Sequence, residues 1–168
     1  GGMVGGIVAS ALGRKRGLMI AAVLFIISAV GSAYPELGFP HGAPHTFLTQ
    51  FIIYRIIGGV GVGLASMLSP MYIAEMAPAS RRGGLVAWNQ FAIIFGMLVV
   101  YFVNYFIALN GDEAWLTSTG WRLMFLSEVI PAALLFLLVL GVPESPRWLI
   151  MKGREAKAVA ILERINGA

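Results

Sequence analysis

The sequence predicts an all-α membrane protein. Three observations carry that prediction. Of 168 residues, 58% are hydrophobic and only 12% are charged, with a mean hydropathy of +0.83. A soluble domain carries about 25% charged residues. The apolar residues fall in runs long enough to cross a hydrocarbon core of about 30 Å at about 1.5 Å per helical residue. Finally, ten of the twelve Lys and Arg residues lie in three clusters at ends of those runs: Arg14, Lys15 and Arg16; Arg81 and Arg82; and Arg147, Lys152, Arg154, Lys157 and Arg164. Membrane proteins mark their cytoplasmic face in this way. The net charge of +4 therefore reads as topology, with no nucleic-acid partner. There is no cysteine, so neither a disulfide framework nor a thiolate metal site. His41 and His45 are two imidazoles without further ligands. They read as loop residues, and no metal site is expected.

Taken in order, residues 1–12 read as the end of a membrane helix, with Gly1/Gly5 and Gly2/Gly6 spaced for close approach of a neighbour. The basic turn Gly13-Arg14-Lys15-Arg16-Gly17 follows. Residues 17–34 form a run of about 27 Å, interrupted only by Ser28 and Ser32 and ended by Tyr34-Pro35. The loop from Pro35 to Thr46 has no Lys or Arg, so it faces outward. Residues 47–72 form the next run, with Arg55, the ladder Gly58, Gly59, Gly61 and Gly63, and Pro70 near the cytoplasmic end. Gly59 and Gly63 make a packing pair; the lysine of a phosphate loop is absent. Residues 85–109 and 121–142 are two further spans. The loop between them, with Asp112, Glu113 and Trp115, again faces outward. Ser145 suits a helix cap and Pro146 the first helical position. From there to Arg164 the chain reads as one amphipathic cytoplasmic surface helix, with Trp148, Leu149, Ala156, Val159, Ala160 and Ile165 on its apolar face. Residues 1–142 are thus a transmembrane bundle, and 143–168 begin an intracellular helical region.

Several polar residues need an explanation in lipid. Arg55 lies about 13 Å from the outer end of its run and Glu128 about 10 Å from the same side. They are either a static ion pair or a proton-responsive site. Gln90, Met97 and Asn104 drift by only about 20° per step, so they mark one helix face, flanked by Ile93 and Ile94. That face either glues helices together or offers an amide donor and acceptor to a neutral polyol. Glu75, Arg82, Glu144 and Arg147 lie near cytoplasmic ends and are candidates for an ion-pair ring that biases a two-state equilibrium. No nucleophile–base set or metal cluster appears, which argues against an enzyme and leaves no catalytic residue to name.

Together these motifs resemble the sugar porters of the major facilitator superfamily. Gly13-Arg14-Lys15 looks like the basic turn between the second and third helices of that family. Arg55 with its glycines, Pro70 to Glu75, and Arg82-Gly83 look like the fourth helix and the turn after it. Gly120-Trp121-Arg122 looks like the start of the sixth, and Pro143-Glu144-Ser145-Pro146-Arg147-Trp148-Leu149 like the signature that follows. The resemblance covers the whole chain. It implies a twelve-helix transporter in two six-helix halves, with this chain spanning part of helix 2 to helix 6 of the N-terminal half. The ends read as cut, with a first helix and a C-terminal half elsewhere.

The resemblance also implies a bacterial inner-membrane carrier for a neutral monosaccharide, a xylose-like pentose or a hexose, working by alternating access as a proton symporter. A passive facilitator and a non-transporting sugar sensor are the alternatives. No cofactor is implied beyond the proton as coupling ion. Gln90 would bind the sugar, with Ile93, Ile94 and Met97 lining the site. Arg55 and Glu128 would belong to the proton circuit. Arg14, Glu75, Arg82, Glu144 and Arg147 would form the cytoplasmic gate. Two departures stand out: Ser10 and Ala11 replace polar or charged residues of the turn motif, and Met97 replaces a second glutamine that some members carry.

Overall fold

In a computed structural model the chain is described over residues 2–36, 44–78 and 80–166, with side chains over 5–36, 47–78 and 80–165. The described residues form helices α1 (Gly2–Ala11), α2 (Arg14–Ala33), α3 (Pro44–Met76), α4 (Arg82–Leu109), α5 (Glu113–Gly141), α6 (Pro146–Met151) and α7 (Glu155–Asn166). Helices α2 to α5 are each long and apolar enough to cross a membrane. The Lys/Arg clusters collect at one end of the bundle, here called the basic end. Helices α2 and α4 run away from it, and α3 and α5 return.

Helix α2 is the axis of the bundle. It packs along α3 and α5, and its contact faces are built from small residues. Ala21, Ala22, Ser28, Ala29, Gly31, Ser32 and Ala33 are all buried. Lipid tails are as apolar as leucine, so membrane helices associate through close packing rather than through removal of apolar surface from water. Across this seam a Cβ on Gly31 would overlap the Tyr54 ring, and one on Gly58 would overlap Ser28. A Cβ on Gly61 would lie 3.3 Å from the Ala21 carbonyl oxygen. Gly58 and Gly61 of α3 therefore pack against α2. Gly59, expected to pair with Gly63, has open space around its α-carbon. In α1, Gly5 does receive a neighbour, Met67 of α3. Ala9, Leu18, Ala21, Leu64, Leu68 and Val139 close a core shared by α1, α2, α3 and α5.

Other boundaries shift for physical reasons. Helix α2 starts at Arg14, so most of the predicted basic turn is its first turn. Helix α5 starts at Glu113, because Asp112 caps it by accepting from the Trp115 N–H at 2.9 Å. Residues Glu113 and Trp115 are thus helical rather than loop. A π-helical turn covers Leu116–Gly120, and the α-helical run ends at Ser127 and resumes at Val129. Pro131 explains this second break: it has no N–H for the Ser127 carbonyl, and its ring crowds that position. The expected single surface helix is two, α6 and α7, because Gly153 turns between them with φ +70°. That turn resets the helical phase. The buried set is Trp148, Leu149 and Ala158, with Ile161 against it, while Ala156, Val159 and Ala160 are exposed. Most of the loop holding His41 lies outside the described residues.

These contacts separate two glycine substitutions. Gly31→Ala forces the Tyr54 ring to move and is expected to destabilise the full-length protein by about 1–3 kcal/mol. Gly59→Ala fills open space and should stay within about 0.5 kcal/mol of the parent. Thermal unfolding in detergent measures both; equal losses for the two would contradict the packing described.

Candidate functional site

At the basic end, four segments meet around two carboxylates. Arg14, the first residue of α2, is buried. Its Nη2 lies 2.8 Å from Glu75 Oε1 near the end of α3, with side-chain exposures of only 7% and 8%. Nη1 of the same guanidinium donates to the Ala9 carbonyl at 2.9 Å. The Ser145 hydroxyl donates to the second oxygen of Glu75. Ser145 does precede α6, but its side chain makes no capping bond; Glu75 has claimed it. Glu144 Oε1 accepts three backbone N–H groups, from Arg14 at 2.9 Å, Lys15 at 3.0 Å and Ser145 at 3.0 Å. It thereby satisfies free donors at the N-terminus of α2, where the helix dipole favours a negative charge. Gly13 permits this approach. Its φ of +95° is in the left-handed region, and a Cβ there would overlap the Glu144 carboxylate. Three further bonds bind the same segments: Lys15 Nζ to the Leu140 carbonyl (2.9 Å), Tyr72 hydroxyl to the Pro143 carbonyl (2.8 Å), and Trp148 Nε1 to the Ser10 carbonyl (3.1 Å).

The four-residue ring expected from the sequence is therefore not what forms. Glu75 and Glu144 are engaged, but by Arg14, by Ser145 and by backbone. Arg82 and Arg147 line a cavity of about 420 Å³ together with Glu75, and neither makes an ion pair with a described residue.

In the other half of the bundle, α3 and α5 run in parallel and are joined by edge-to-face aromatic pairs. Phe47 meets Trp121 with centroids 6.4 Å apart, and Phe51 meets Phe125 at 5.5 Å. These pairs are one helical turn apart on both helices, so the register continues to Arg55 beside Glu128. The two are at one level, as expected, yet they are not a closed ion pair. Arg55 is exposed, and its guanidinium lies over the Phe125 ring at 5.3 Å. Nearer the end opposite the basic one, Arg122 Nη1 pairs with Glu36 Oε1 at 2.7 Å, and its guanidinium stacks on Tyr34 (5.3 Å) and Trp121 (5.0 Å). This tie joins residues far apart in the chain, and no local pattern announced it.

Helix α4 has no buried residue. It is oriented by Asn89, whose Oδ1 accepts from the Ser69 hydroxyl at 2.8 Å. Gln90 is exposed, as are Ile93 (43%), Ile94 (59%) and Met97 (60%). The predicted face divides at its far end, because Asn104 is half-buried and its Oδ1 has no hydrogen-bond partner among the described residues.

A family model described as "Sugar (and other) transporter" matches residues 1–168. The chain is 58% identical to the D-xylose-proton symporter of Escherichia coli K12, an alignment covering 99% of this chain and 36% of that protein. It is 42% identical to the arabinose-proton symporter of Bacillus subtilis, covering 99% and 35%. A solved structure of the E. coli xylose transporter XylE, in a partially occluded inward-open conformation, superimposes with a TM-score of 0.94 at 58% identity, covering 99% of this chain and 41% of the other. The chain spans about a third of the length of these curated relatives.

The basic-end cluster is testable through its buried pair. Glu75→Gln leaves the Arg14 guanidinium buried without its counter-charge and is expected to cost about 3–5 kcal/mol. Combining it with Arg14→Gln should cost clearly less than the sum of the two single changes. A double-mutant cycle on thermal unfolding of the full-length protein reads this coupling; additive losses would show that the pair carries none.

Proposed function

The chain belongs to the Sugar (and other) transporter family, and on that premise we propose that it is part of a carrier for a neutral monosaccharide, a xylose-like pentose or a hexose. The carrier works by alternating access in the bacterial inner membrane, not as an enzyme. Residues 1–142 contribute to its N-terminal bundle and 143–168 open its intracellular helical region. The basic end faces the cytoplasm. A first helix and a C-terminal half of the same protein complete it.

One observation carries this reading. Gln90 is an exposed amide on a membrane-length helix that buries nothing in this chain. An amide left to lipid costs several kcal/mol, so its face belongs against a polar cavity. Its donor and acceptor match a sugar hydroxyl, while Ile93, Ile94 and Met97 offer apolar contact to the C–H faces of a sugar ring. Met97 presents a thioether, a weak acceptor with no donor, and so weights selectivity toward shape at that point.

Arg55 and Glu128 supply the proton circuit. Arg55 stands level with Glu128 but is not locked to it, which leaves the guanidinium available to answer a carboxylate that changes charge during turnover. The basic-end cluster of Arg14, Glu75 and Glu144 is the gate, and Arg82 and Arg147 join it from the cavity wall in the closed state.

The full-length protein in proteoliposomes tests both roles. Gln90→Ala is expected to weaken sugar binding about tenfold, the loss of roughly one hydrogen bond to a neutral partner. Arg55→Ala should keep sugar counterflow but abolish accumulation driven by a proton gradient. Full accumulation by that variant would remove Arg55 from the coupling role, and wild-type protein that equilibrates sugar without accumulating it would make the carrier a facilitator.

A further inference from the structure

Two neighbouring depressions at the basic end share residues but differ in chemistry. The first is an apolar groove of about 420 Å³ between α2 and α5, walled by Met19, Ile20, Val23 and Leu24 on one side and Phe136 on the other. Arg16 stands at its mouth. The second, of about 440 Å³, is lined by Lys15, Arg16, Arg154, Glu144 and Trp148. Arg16 and Met19 belong to both, so the apolar groove opens directly into the charged pocket.

The charges do not balance. Lys15, Arg16 and Arg154 face one carboxylate, Glu144, whose Oε1 already accepts three N–H groups. Lys15 donates to a backbone carbonyl. The side chains of Arg16 and Arg154 are exposed and make no hydrogen bond or ion pair with a described residue. The groove below them is exposed too, at Ile20 (36%) and Val23 (40%). It follows α2 for about 12 Å from Arg16 to Leu24, on a helix of membrane-crossing length. Two free guanidinium groups at the level where a bilayer meets water, above an apolar channel along the bilayer normal, match one kind of molecule. We propose that this is a binding site for an anionic phospholipid. Its phosphate and headgroup lie among Lys15, Arg16 and Arg154, and one acyl chain lies in the α2–α5 groove. Trp148, buried beside the pocket, forms its floor at the level where amphipathic rings settle. The argument needs only a membrane-embedded bundle and is independent of the sugar that is carried.

The test uses the full-length protein in neutral detergent, with native mass spectrometry to count bound dioleoylphosphatidylglycerol against dioleoylphosphatidylcholine. The phosphatidylglycerol should be retained preferentially. Arg16→Gln and Arg154→Gln should each lower its affinity about fivefold, the contribution expected of one cation near a membrane surface. Val23→Trp fills the groove without changing any charge, and should displace the lipid as well. Equal retention of the two lipids would overturn the proposal, as would an unchanged preference in both arginine variants. Full binding in Val23→Trp would remove the chain from the groove. Competition by glycerol 1-phosphate as strong as by the intact lipid would make the site one for a soluble phosphate and would also overturn it.

Discussion

A guanidinium buried at the end of a membrane helix must be answered by a counter-charge and by hydrogen bonds, because burial strips away the solvent that would otherwise stabilise its charge. Arg14 is in that position, and the architecture of the basic end follows from it. Glu75 supplies the charge and Ala9 a carbonyl. Glu75 then needs its second oxygen satisfied, which draws in Ser145. The neighbouring Glu144 caps the N-terminus of α2, and that approach is possible only because residue 13 is a glycine in the left-handed region. Parts of α1, α2, α3 and the α5–α6 link are thereby held by one hydrogen-bonded unit. Such a unit forms or fails together, since removing a member strands a buried polar group.

Away from that end, the bundle is held by a different economy. Its central seam lets backbones approach closely, with Gly58 of α3 against Ser28, Gly61 against the Ala21 carbonyl and the Phe25 ring, and Gly31 of α2 against the Tyr54 ring. Dispersion at close range replaces the hydrophobic driving force that lipid does not provide. Aromatic pairs lock α3 to α5 and set the level at which Arg55 and Glu128 face each other. The same economy leaves α4 at the margin, fastened by Asn89 and Ser69 and presenting Gln90 to whatever lies opposite. The bundle is firm where its helices approach closely and open along α4, which has no buried residue.

Much of this was legible in the sequence, at the level of residue class. The spans, their alternation and the basic end could be read from hydropathy and charge. Glycine was legible as a packing residue, but which glycines pack was not. Gly58 and Gly61 meet α2 while Gly59 meets nothing, and that depends on how α3 is rotated about its axis. The shared level of Arg55 and Glu128 could be counted from the ends of their runs, whereas the cation–π seat on Phe125 could not. The surface helix was misread because one glycine with positive φ divides it and resets its phase. Ser145 was misread because its local preference for capping lost to a partner from α3.

Hydropathy and charge thus carry the solvent, the number of long spans, their alternation, and the types of polar residue placed in them. These are sums over neighbouring residues and need no knowledge of what lies across the bundle. Which polar group answers which is set by the packing of the helices. Arg14 reaches Glu75 across 61 residues, and its backbone N–H reaches Glu144 across 130; Arg122 reaches Glu36 across 86. Partners that distant are brought together by helix rotation and packing of small side chains, which hydropathy does not encode. A buried charge takes whichever counter-charge that packing places within hydrogen-bonding distance.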